Sequence, residues 1–162
     1  MDACSWKARL HGFEARFIGL AEEVNSHMPS HVVKLVQDGL NDQEKALKNA
    51  KVLILGIAYK RDINDVRESP ALGIIDQLQH KGARVSYHDP FIPELQLDEE
   101  GKLASIELSD DTLATSDCVV IVTDHSEVDY SRAVRLAPLI VDTRNTTRKL
   151  GLPECESKIV RL

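Results

Sequence analysis

The sequence has no excess of positive charge, no apolar run of bilayer length, no paired set of cysteines and no glycine-rich phosphate loop. Each absence closes a class of function. The formal net charge is −6, and general nucleic-acid binding needs a concentrated basic face that displaces counterions from phosphates. A basic pocket for one small anion stays open, because that is a local property. The longest apolar stretches, Val52 to Ile57 and Cys118 to Val122, are strand-sized and fall far short of the roughly 20 residues of a spanning helix. The opening MDACSWKARLHGFEARF lacks the basic-then-apolar order of a signal peptide. A cytoplasmic location, with neither nucleic acid nor membrane as a partner, is therefore expected. Three cysteines at irregular spacing, Cys4, Cys118 and Cys155, argue against a disulfide framework. Cys118 lies in the apolar run DCVVIV and reads as core. No basic partner flanks Cys4 or Cys155, so neither reads as a reactive thiol.

The 162 residues suffice for one α/β domain and a small appendage. Residues 1–50 read as helical: Phe17, Leu20, Val24, Met28, Leu35 and Val36 follow a three-to-four residue spacing that makes one apolar stripe. Pro29 has no N–H, which predicts a kink or break. Gly39 reads as a stop, and a short helix over 43–49 follows. At Lys51 the pattern changes. KVLILGIAY is aliphatic without polar alternation, as in a strand buried on both faces of a parallel sheet. Ser69-Pro70 opens a helix, Ser as N-cap and Pro at the first helical position, and Gly82 ends it. ARVSYHD is a strand, and the two prolines of DPFIPE forbid a regular element there. A short strand near Ile106 and a short helix over 110–115 follow. DCVVIVTD is a strand, Tyr130 to Leu136 a helix, PLIVDTRN a strand and KIVRL an edge strand. The acidic stretch at residues 98–100 reads as a solvated loop. The alternation predicts an α/β, Rossmann-like, doubly wound parallel sheet over residues 51–162, preceded by a helical segment over 1–50.

In such sheets ligands bind beyond the carboxyl ends of the strands. Those ends carry Tyr59, Lys60 and Arg67, then His88 and Asp89, then Thr123, Asp124 and His125, then Asp142, Arg144 and Asn145. One edge of an acidic chain thus collects Lys60, Arg67 and Arg144, the pattern of a phosphate or diphosphate pocket. The competing reading is local: Lys60 and Arg67 share their loop with Asp62, Asp65 and Glu68 and form surface ion pairs. His88 and His125 read as solvated loop histidines. His11, His27, His31 and His80 lie on helices or at their ends, and no tight metal-ligand set is expected. After the first strand the chain reads GIAYKRD, not G-x-G-x-x-G. Asp89 stands where a dinucleotide fold puts its ribose-binding acid. Without the glycines the sheet is not expected to bind NAD in the usual way.

The segment GIAYKRDINDVRESPA resembles the UDP-glucose/GDP-mannose dehydrogenase family. The likeness extends through ARVSYHDPFIPE, VVIVTDHSEVD and LIVDTRN, and SWKA and VNSHMP fit as well. It is nearest to the UDP-N-acetylmannosamine and UDP-N-acetylglucosamine 6-dehydrogenases. The resemblance implies an enzyme with an N-terminal NAD-binding domain, a central helix that forms a homodimer contact, here residues 14–40, and a C-terminal domain that binds the UDP part of a UDP-sugar. It implies oxidation of the sugar C6 alcohol to a carboxylate through a cysteine adduct, with NAD as acceptor. By the same resemblance Tyr59, Lys60 and Arg144 contact the UDP-sugar and Arg67 reaches towards NAD. The family's G-x-C-[IL]-P-x-D segment is not in this sequence, and Cys4 stands too close to SWKA to be its nucleophile. The chain alone is therefore expected to be inactive. A stand-alone nucleotide-binding or dimerisation module without catalysis is the alternative. A response-regulator-like fold is set aside, because the first strand lacks an acidic pair at its carboxyl end.

Overall fold

The computed structural model describes residues 16–97 and 101–162. Cys4, the SWKA segment, His11, the beginning of the expected dimer segment and the acidic stretch at 98–100 lie outside the described residues. Helix α1 (Arg16–Asp42) leads into β1 (Lys51–Leu55), α2 (Pro70–His80) and β2 (Arg84–His88). A hairpin of β3 (Glu94–Leu97) and β4 (Gly101–Ala104) follows. Then come α3 (Asp110–Thr115), β5 (Cys118–Ile121), α4 (Tyr130–Leu136) and β6 (Ile140–Asp142). Two 3-10 segments, Thr147–Leu150 and Pro153–Lys158, precede β7 (Ile159–Arg161). The main sheet is wholly parallel in the order β2-β1-β5-β6-β7. Its order reverses between β1 and β5, which makes the carboxyl ends of those two strands the switch point.

Successive strand residues point to opposite faces, and both faces are covered. Val52, Ile54, Val120, Val122 and Val141 meet α1 and α2 on one side. Leu53, Leu55, Val119, Ile121 and Ile140 meet α3 and α4 on the other. The second half of α1, through Val32, Val33, Val36 and Leu40, belongs to the first of these cores. Its first half does not: Phe17, Leu20 and Val24 are exposed.

Helix α1 runs through Pro29 rather than breaking there. The ring is seated on α2 at Gly73, where an added Cβ would lie 3.3 Å from Pro29 Cβ and Cγ. The carbonyl that loses its i+4 donor belongs to Asn25, which is exposed and open to water. Gly39 does not stop the helix either. It is buried against Leu139, whose Cδ2 would meet a Cβ at 3.0 Å, so its role is close approach. Residues 43–49 are turns, not a helix. Glu44 and Asn49 adopt left-handed φ values of 59° and 69°, which end regular helix. Ser69 caps α2 as expected, its Oγ accepting from Ala71 N. The strand expected near Ile106 lies earlier, as β4, with only an isolated bridge between Tyr87 and Ser105.

Candidate functional site

At Gly56 the chain leaves β1 with φ +77°, and a Cβ there would stand 2.0 Å from the carbonyl oxygen of Thr123. Only glycine lets the β1 and β5 exits approach this closely. The four amides that follow are all engaged internally. Gly56 N donates to His88 O at 3.0 Å and Tyr59 N to Asp65 O at 2.7 Å. Ile57 N and Ala58 N donate to Asp89 Oδ2 at 2.7 and 3.0 Å. The other oxygen of Asp89 accepts from Phe91 N at 2.8 Å and Ile92 N at 3.1 Å. Asp89 is buried, so it does not face out as a ribose-binding acid. Burial acts to raise its pKa. The hydrogen bonds from His125 and from the Ile57, Phe91 and Ala58 amides outweigh burial and hold it down at about 2.

His125 is not a solvated loop residue. It is buried beside Phe91, ring centroids 5.0 Å apart. Its Nδ1 accepts from Asp62 N at 3.0 Å, so Nε2 carries the hydrogen and donates to Asp89 Oδ2 at 3.1 Å. His88 is half-buried and donates through Nδ1 to Ile106 O at 2.8 Å. Thr123 Oγ1 donates to Ala58 O at 2.7 Å, and Tyr130 OH donates to Thr123 O at 3.3 Å. Burial raises the Tyr130 phenol above its ordinary range.

A second carboxylate shapes the other exit. Asp142, buried at the end of β6, accepts from Arg144 N at 3.0 Å, Thr147 N at 2.8 Å and Thr147 Oγ1 at 2.7 Å. This turn presents Arg144 to the same edge as Lys60. Between α1, the start of α2 and these exits lies a cleft of about 680 Å³, lined by Tyr59, Lys60, Arg144, Asn25, Glu68 and Thr143 among others. Lys60 Nζ rests 5.2 Å from the centre of the Tyr59 ring. Arg144 Nε lies 3.7 Å from Asp124 Oδ1.

Three of the four residues expected from sequence, Tyr59, Lys60 and Arg144, are therefore together. Arg67 is apart. Its side chain is 87% exposed and forks onto Asp65, the local pairing that its loop composition had offered. That fork holds the Asp65 carboxyl down at about 2. Lys60, by contrast, pairs with no carboxylate among the described residues. The start of α2 also faces the cleft but offers few donors. Pro70 has no N–H, and Ala71 N and Leu72 N turn back to Ser69. Cys118 is buried, which pushes its thiol up, and Cys155 is buried too. Among the described residues no group of three or more His, Cys, Asp or Glu is arranged for a metal ion, and no helix is long and apolar enough to cross a membrane. The arrangement suits an anion gripped by Lys and Arg side chains and an aromatic ring. It does not suit a dinucleotide laid on backbone amides.

Comparison with known proteins gives the family. The profile described as "UDP-glucose/GDP-mannose dehydrogenase family, UDP binding domain" matches residues 53–149. The chain is 34% identical over 139 residues to a UDP-N-acetyl-D-mannosamine dehydrogenase from Methanococcus vannielii, covering 81% of this chain and 30% of that protein. It is 30% identical over 149 residues to a UDP-glucose 6-dehydrogenase from Haloferax volcanii, covering 90% and 34%. The solved structure of an NDP-N-acetyl-D-galactosaminuronic acid dehydrogenase from Methanosarcina mazei superposes with a TM-score of 0.70 at 25% identity, over 88% of this chain and 30% of that one. The chain thus spans about a third of the length of the curated relatives it matches.

The Asp89 network sets a pH dependence. Its folded pKa lies below the unfolded value of about 3.9, so its contribution is complete above that pH and is lost as pH falls from about 4 towards 2. Asp89→Asn is expected to remove about 2–3 kcal/mol at neutral pH and to flatten stability over that acid window. Urea unfolding at stepped pH measures both. An equally steep acid decline in the variant would contradict the assignment.

Proposed function

The chain belongs to the UDP-glucose/GDP-mannose dehydrogenase family, and from that membership we propose that its cleft holds the UDP part of a UDP-sugar. The observation that carries the reading is the meeting of Lys60 and Arg144, with the Tyr59 ring, in one cleft on a chain of net charge −6. Arg144 offers a planar fork to diphosphate oxygens and Lys60 a mobile point charge. The backbone amides of the β1 exit are occupied, so these side chains supply the charge-assisted hydrogen bonds. The residues present do not fit NAD at this sheet. We assign NAD to another part of a longer enzyme, with Arg67, exposed on the outer side of its loop, reaching towards it.

In that enzyme residues 1–50 supply the central segment, helical over Arg16–Asp42, and residues 51–162 the substrate-binding domain. Together with the rest of the enzyme they serve an NAD-dependent oxidation of a UDP-hexose or UDP-N-acetylhexosamine at C6, through to the uronic acid. The 162-residue chain by itself does not turn over, because its β1 exit leaves no dinucleotide site and Cys118 and Cys155 are buried. A homodimer forms through residues 14–40. The support for it is the stripe of Phe17, 88% exposed, with Leu20 and Val24, an apolar face that water does not favour. That stripe also favours the alternative, a dimerisation or nucleotide-binding module without catalysis. Selective UDP binding that survives loss of the dimer separates the two functions.

Lys60→Ala and Arg144→Ala should each weaken UDP binding by about 1.5–3 kcal/mol, roughly 10- to 150-fold. Arg67→Ala should leave it within about twofold, since its fork lies outside the cleft. Calorimetric titration reads all three, and equal UDP affinity across them would sink the assignments. Phe17→Glu should shift sedimentation from dimer to monomer without loss of UDP affinity. A monomeric unmodified chain would refute the dimer.

A further inference from the structure

We propose that His125 is a positioning residue, which fixes the Tyr59–Lys60 turn for its ligand through the lone pair on Nδ1. The proposal rests on the reading of the cleft as a UDP site. The turn carrying Tyr59 and Lys60 is exposed, and residues 59–64 are all solvent-facing. Such a segment would have to be ordered on binding, at a cost in affinity. Two residues beyond Lys60, Asp62 is held at four points. Its N–H donates to His125 Nδ1 at 3.0 Å. Its carboxylate accepts from Ser126 N at 2.8 Å and from Ser126 Oγ at 2.8 Å. Arg61 Nε donates to the same carboxylate at 3.3 Å.

The conformation this imposes is unusual. Asp62 sits at φ +59°, a left-handed backbone uncommon for a residue other than glycine, although Asp tolerates it better than most. Of the four holds, only the one from His125 reaches a buried group, and only it acts on the backbone of Asp62. His125 in turn has no freedom. Nε2 is committed to Asp89, so the ring presents one defined lone pair to one defined amide. The same short loop contains Asp124, which takes Arg61 Nη1 at 3.2 Å on one oxygen and lies 3.7 Å from Arg144 Nε on the other. The segment Thr123 to Ser126 therefore holds the turn on either side of Tyr59 and Lys60, at Ala58 and Asp62, and lies beside Arg144, with His125 as its buried anchor.

Two substitutions separate this role from simple core packing. His125→Asn keeps an acceptor at the δ position and loses the donor to Asp89. His125→Gln keeps a donor at the ε position and loses the δ acceptor. Both are expected to lower the thermal midpoint. UDP affinity should stay within about threefold in His125→Asn and fall at least about tenfold in His125→Gln. Faster amide exchange over residues 59–62 is expected only in the second. The reverse order, or equal UDP affinity in the two, overturns the proposal. A test that needs no variant is the ring-nitrogen NMR signal of His125 in the unmodified chain. A hydrogen on Nε2 is expected, and one on Nδ1 overturns the latch even if both variants fail to fold. Failure of the site reading looks different. An unmodified chain that binds no UDP removes the ligand role along with the site, whereas UDP binding that depends on Lys60 but not on the δ acceptor removes the latch alone.

Discussion

The buried carboxylate of Asp89 is the interaction on which the rest of the binding edge depends. A charge with no access to water is costly unless donors surround it. Here four backbone amides and the His125 imidazole point at its two oxygens. Those donors come from the β1 exit, the β2 exit and the β5 exit, so one side chain ties three loops of the switch point together. The same bonds decide what the site can bind. In a dinucleotide fold the first exit offers its amides to phosphate. In this chain the Ile57 and Ala58 amides are already given to a carboxylate, and the cationic side chains that line the cleft are Lys60 and Arg144.

Asp142 repeats the device at the end of β6. It folds the residues after the strand into a turn around its own carboxylate, and the turn presents Arg144 outward. Each of the two cations thus stands on a loop whose shape is set by a buried aspartate. Anchoring the backbone rather than the long side chain fixes where each cation starts from.

Much of the fold was legible from residue pattern. Ser69-Pro70 marked the start of α2, and the apolar runs marked the parallel strands. Local polarity placed α3 and α4 at the bounds observed. What misled were residues whose role is set by a distant partner. Pro29 signals a break, but it is tolerated because Gly73 leaves room for its ring. Gly39 signals a stop, but it serves the approach of Leu139. At the candidate site, Tyr59, Lys60 and Arg144, read from their places after strands, line one cleft. His125 was misread as solvated, because polarity in a loop reads as exposure, and Asp89, weighed only as a ribose-binding acid, turns inward instead. The available signal was position: each stands just past the carboxyl end of a strand that pairs with β1, where polar side chains are needed inward to satisfy crowded backbone.

The central claim is that this sheet holds a nucleoside diphosphate by side chains and has no dinucleotide site of its own. Calorimetric titration of the unmodified chain with UDP and with NAD, side by side, tests it most directly. The account predicts saturable binding of UDP and none of NAD. Binding of NAD without UDP would contradict it, since the β1 exit would then have to surrender the amides that Asp89 holds.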